Sequence, residues 1–187
     1  MTVLQDAQLE VVRLLGQVDD WTLPTPCDGW DVAAVARHLV VGERVFAAAF
    51  QDLAYDLGAV DADLQRLRTA ALPDAYAEDA TALRDMLATA APEALVSSPI
   101  GTVPAAVVAE IRALEAVTHG WDLARALGSK VMLGSEPELS ALVGAADRLR
   151  ARLEQVRPGS TALGTPVELD EDSPAMDRVV ARLGRRP

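Results

Sequence analysis

The chain has two histidines, and both fall where a helix would hide them. His119 lies in the segment LEAVTHGWDLARALG, four residues after Glu115. That spacing puts a carboxylate and an imidazole on one helix face, where both can reach a single ion. The segment is apolar on most sides, through Val107, Val108, Ile111, Leu114, Val117, Trp121 and Leu123. Across it, Arg112, Glu115, His119 and Asp122 share an arc of about 80°, taking about 100° per residue. Such a polar line is costly on a buried helix unless its members pair or bind something. The other histidine, His38, sits on the stripe Val35, His38, Gly42, Val45 and Ala49, where the period expects a core residue. Two histidines and one carboxylate leave a fourth position open, the pattern of a catalytic rather than a structural zinc site. The same donors suit nickel and other divalent metals, so they do not fix the metal. The plainer alternative is an intrahelical Glu115–His119 pair beside a hydrogen-bonded core histidine.

Arg112, one turn before Glu115, admits two readings. A guanidinium binds carboxylates bidentately, so it could clamp an anionic substrate or cofactor. The favoured reading is a salt bridge to Glu115 or another acid. Asp122, three residues after His119, could orient that histidine as a ligand, or instead bind Arg125 or the N-terminal loop. Trp30 and Trp121 read as packing residues. Cys27 stands just before the helix that carries His38. A lowered pKa is conceivable there, but a small buried thiol is the commoner role. Nothing arranges Ser, His and Asp as a triad.

These residues need helices to position them. Leu4, Ala7, Val11, Leu14 and Val18 predict a helix over 2–18, ended by Asp19 and Asp20. LPTPCDGW is a loop, and Asp31 is the expected N-cap of a helix over 31–51. Val60, Leu64, Leu67 and Ala71 permit a short helix within 52–74. Tyr76, Ala80, Leu83, Leu87 and Ala90 mark a helix over 75–91, with Pro92 near its end. Residues 96–102 read as a turn-rich connection. Pro104 suits the first turn of a helix over 103–127, and Gly128 its C′ position. Ser135 and Glu138 form a capping box for a helix over 136–157, whose stripe is Leu139, Leu142, Ala146, Leu149, Leu153 and Val156. Beyond Pro158-Gly159, TPVEL reads as a short extended segment, and Ser173 with Pro174 as the start of a last helix. The fold class is all-α: a bundle with an additional packed helix, over residues 1–159, and a C-terminal extension over 160–187 packed on the same domain.

Composition sets bounds. Half of the 187 residues are hydrophobic and only 4% aromatic, as expected of a globular helical chain. The net charge of −11 argues against nucleic acid, whose binders need a basic face. One cysteine rules out an internal disulfide and fits a reducing, cytoplasmic compartment. The N-terminus has neither the basic nor the apolar region of a signal peptide, and no uncharged run is long enough to span a membrane. Lys130 is the only lysine among 17 basic residues, which fits a GC-rich genome.

Two segments carry a resemblance. PTPCDGWDVAAVARHL and EAVTHGWDLARALG are similar to the motifs of actinobacterial metal-binding proteins related to mycothiol-dependent maleylpyruvate isomerase, within the wider DinB/YfiT-like superfamily. The tail LGTPVELDEDSPAMDRVVARLGRRP resembles the end of the same proteins. The resemblance implies a DinB-like four-helix bundle and a divalent metal held by His38, Glu115 and His119, with zinc the first choice. Glu115 departs from the superfamily's three-histidine variant and matches the isomerase branch. That isomerase adds a thiol to a cis double bond, lets the adduct rotate and expels the thiol. The implied partners are therefore a mycothiol-type thiol and a small organic substrate. A homodimer through the tail is open as well. Set against a thiol transferase or isomerase are a non-catalytic regulatory bundle that binds metal or ligand, and a metal-free structural bundle. Thiol-dependent turnover separates the first from the second, and metal content separates both from the third.

Overall fold

The computed structural model describes residues 2–51, 53, 65–160 and 162–187. Six helices and one hairpin lie within them: α1 Val3–Leu15, α2 Val32–Phe50, α3 Leu72–Thr89, β1 Leu95–Ser98, β2 Gly101–Pro104, α4 Ala105–Leu127, α5 Glu136–Val156 and α6 Ala175–Arg182. Helices α1 to α4 form the bundle. Helix α5 packs on α4, and α6 packs on α5. The all-α bundle with an additional packed helix, expected from the sequence, is the one observed.

The apolar stripes explain the layers. Leu14, Val35, Leu39, Leu72, Tyr76 and Leu123 meet between α1, α2, α3 and α4. Phe46, Ile111, Leu114, Leu142, Leu149 and Val179 join α2 and α4 to α5 and α6 in a second cluster. Helix α2 is capped as its sequence requires: the Asp31 carboxylate accepts the Ala34 N–H at 2.8 Å. Gly128 closes α4 in the left-handed conformation, with φ +62°.

Several element ends differ from expectation. Helix α1 stops at Leu15 because Gly16 takes the C-cap, well before Asp19. Helix α3 begins at Leu72, since Pro73 fits a first turn. In 52–74, Val60 and Leu64 lie outside the described residues, and Thr69–Ala71 form a 3₁₀ turn. Residues 96–102 are a β-hairpin, not an irregular connection. Leu95 pairs with Pro104 and Ser98 with Gly101, whose φ of +91° makes the turn. Four-residue strands of mixed polarity leave too short a pattern to read. Pro104 is the N-cap residue of α4 and not part of its first turn. The last helix is capped from outside: Glu136 of α5 accepts the Ala175 N–H at 2.8 Å, and Pro174 rather than Ser173 occupies the cap. TPVEL forms no strand, although the Val167 N–H donates to the Ala181 carbonyl at 2.9 Å.

Candidate metal centre

The loop before α2 sets the outer edge of the site. Gly29, at φ +76°, lets the chain turn so that the Trp30 N–H reaches the Cys27 carbonyl at 3.0 Å. Thr25 then accepts the Cys27 N–H at 3.2 Å and donates its hydroxyl to the Trp30 carbonyl at 2.8 Å. This lays Trp30 on two imidazoles: its ring is 4.9 Å from that of His38 and stacks on His119 at 5.7 Å. Trp30 is a packing residue, as read from the sequence, but what it packs on is the histidine pair.

Helices α2 and α4 bring the polar residues together. His38 Nε2 lies 2.7 Å from Glu115 Oε2, and His119 Nε2 lies 3.4 Å from the same oxygen. The three ligand-type atoms are all within 4.8 Å of one another. Glu115 is about one-fifth exposed and His119 is buried, whereas His38 reaches solvent. Burial opposes the Glu115 charge, but the neighbouring His38 ring and hydrogen bonds from both histidines outweigh it and hold the carboxyl well below the usual range. Burial likewise opposes a charged His119, and its bonds to Asp122 and Glu115 outweigh that and raise its pKa.

Asp122 takes the first of the two places expected of it, beside His119: its Oδ2 faces His119 Nδ1 at 2.9 Å. It does not bind Arg125, which stacks over Trp121 instead. Its second partner is Arg185, whose Nε and Nη2 donate to the carboxylate at 3.2 and 2.8 Å. Arg185 comes from the chain's end, and no local spacing could have revealed it.

With Nδ1 engaged by Asp122, His119 turns Nε2 toward a Glu115 oxygen 3.4 Å away, and His38 meets the same oxygen. Ring nitrogens facing a carboxylate oxygen need a proton or a cation between them. A divalent cation satisfies the two rings and Glu115 together, so the residues fit one.

Arg112 points elsewhere. Its Nη2 donates to Glu43 at 3.0 Å, and both side chains are buried. Gly42 leaves room for it, since a Cβ there would run into the guanidinium. The acid that pairs with Arg112 is thus Glu43, not Glu115. Gln8 also donates to Glu43, at 2.9 Å, and receives Arg84 at 2.7 Å. All four bundle helices supply a member of this second polar chain.

A cavity of about 280 Å³ opens over the histidines, lined by Cys27, Trp30, His38, Arg112, Glu115 and His119 among others. Burial pushes the Cys27 thiol up, so it stays protonated near neutral pH and is not an activated nucleophile.

Against this geometry, likeness to known proteins is decisive. The sequence model of the mycothiol maleylpyruvate isomerase N-terminal domain matches residues 4–124. The chain belongs to that family. An uncharacterized protein of Mycobacterium tuberculosis, found in two strains, is 30% identical over 191 residues, covering 97% of this chain and 94% of the relative. Such relatives fit the actinobacterial type. The crystal structure of the mycothiol-dependent maleylpyruvate isomerase superposes with a TM-score of 0.59 at 17% identity, over 75% of this chain. A histidine-to-alanine mutant of that enzyme gives 0.55 at 19%. At such identities the likeness is one of fold, and this chain spans 66% of the isomerase's length. Among the described residues, no helix is long and apolar enough to cross a membrane.

Proposed function

We propose that this family member is a metal-dependent thiol enzyme, a mycothiol-type transferase or isomerase of the cytoplasm, with His38, Glu115 and His119 holding one divalent cation, zinc in the first place. The observation that carries the reading is the convergence of two ring nitrogens and one carboxylate beside a cavity. A cation held there supplies Lewis acidity, which lowers the pKa of a thiol or water brought to the open position. The chain's own residues do the rest. Asp122 fixes the His119 tautomer so that Nε2 presents its lone pair to the site. Arg185 holds Asp122 in place from the tail. Trp30 lies across both rings, limits their rotation and keeps water from that side. Apolar walls shield the site, which strengthens the charge interactions inside it.

The experiment is turnover by zinc-loaded protein with mycothiol and either maleylpyruvate or a neutral alkylating agent. Thiol-dependent conversion that disappears in His119→Ala supports the reading. Full metal loading with no conversion of any substrate favours the regulatory bundle.

A further inference from the structure

We infer that the organic molecule taken by this cavity is compact, neutral and apolar, not a dicarboxylate; the inference rests on the cavity being the substrate site of the proposed enzyme. Its walls come from three helices: Val45 and Phe46 of α2, Ile111 and Leu114 of α4, and Leu149 and Leu153 of α5. All six are buried hydrophobics. A volume of about 280 Å³ suits a small molecule seated against such walls.

Three arginines touch this space, and a carboxylate would need at least one of them. Arg112 is ion-paired with Glu43, which is fully buried, so its charge is already balanced although its Nε has no hydrogen-bond partner. An anion that drew Arg112 away would leave Glu43 charged and without its cation. Arg185 has all three of its nitrogens engaged, two on Asp122 and one on the Leu183 carbonyl at 2.9 Å. Asp122 is fully buried too, so the same cost applies. Arg157 lies exposed at the rim, where it donates to the Pro99 carbonyl and where solvent screens its charge. Away from the metal ligands, then, a carboxylate entering the cavity loses its water and meets no buried cation whose charge is not already balanced by a carboxylate. A neutral apolar body loses little and fills the walls. The chain's overall charge of −11 acts in the same direction, against anions.

Acetophenone and benzoate are matched probes: equal in heavy atoms, one neutral and one anionic. Binding is read from the methyl resonances of Ile111, Leu149 and Leu153, in full-length protein both chelator-treated and zinc-loaded. Acetophenone should bind at least tenfold more tightly than benzoate or maleate in both states. Val45→Phe, which fills the cavity, should abolish its binding. Glu43→Gln frees Arg112 and should narrow the preference by strengthening benzoate. If Glu43→Gln does not fold, the wild-type comparison and Val45→Phe still decide. Benzoate or maleate matching acetophenone in either metal state overturns the inference, as does acetophenone binding undiminished in Val45→Phe. Failure of the proposed enzyme reads differently: missing zinc or missing turnover leaves the ratio of the two probes in chelator-treated protein unchanged.

Discussion

His119 can offer Nε2 to a cation because its Nδ1 is engaged by Asp122, and Asp122 in turn is held by Arg185. Asp122→Asn keeps the shape and an acceptor oxygen but removes the charge. Zinc affinity should fall by about 10–100-fold, the usual cost of losing a partner that orients a ligand histidine. Calorimetric titration checks it, with unchanged affinity as the contrary result. Arg112 belongs to a different chain of contacts. Arg112→Ala leaves Glu43 buried beside Gln8 with no cation, so stability should drop by about 3–5 kcal/mol while zinc affinity holds. Denaturant unfolding followed by zinc titration measures both. At this scale the sequence was half legible. Glu115, His119 and Asp122 could be placed on one face because helical spacing is local. Glu43 and Arg185, 69 and 63 residues from their partners, could not, because nothing in a one-dimensional period encodes which distant side chain arrives opposite.

Helices α2 and α4 bring the ligands face to face, and α1 holds α4 in place. Gly120 of α4 packs against both α1 and the loop after α4: a Cβ there would stand 2.7 Å from Leu133 and 3.3 Å from Val11. Gly120→Ala should therefore overpack the contact and destabilise the fold by about 1–3 kcal/mol, despite the better helix propensity of alanine. Thermal unfolding decides, and a stabilised variant would mean that the loop yields freely. The long helices were readable because three or more turns of apolar stripe average out single exceptions, and caps such as Asp31 and Gly128 carry their own chemistry. The ends were less so. Gly16 stopped α1 where the stripe still continued toward Val18, and Glu136 capped α6 from another helix. The hairpin over Leu95–Pro104 escaped because its alternation spans only four residues per strand.

The whole molecule assembles a candidate site from residues 38, 115 and 119, which no single segment contains, so cation binding and folding are coupled. A metal that binds the folded chain alone should stabilise it by about 2.7 kcal/mol at a hundredfold excess over Kd. Its tail contributes as well: Leu183 is buried with the α4 and α5 core, and Arg185 reaches Asp122, so the chain's end closes one side of the cavity. The sequence could not decide this, since a helix with an extended lead is equally able to close a pocket or to meet a second subunit. The central claim is the three-residue cation site, and X-ray absorption on protein loaded with one equivalent of zinc tests it most directly. The account predicts two nitrogen donors at about 2.0–2.1 Å with oxygen completing the shell, and loss of one nitrogen in each of His38→Ala and His119→Ala. A wild-type spectrum without histidine scattering, or one unchanged by both substitutions, would contradict it.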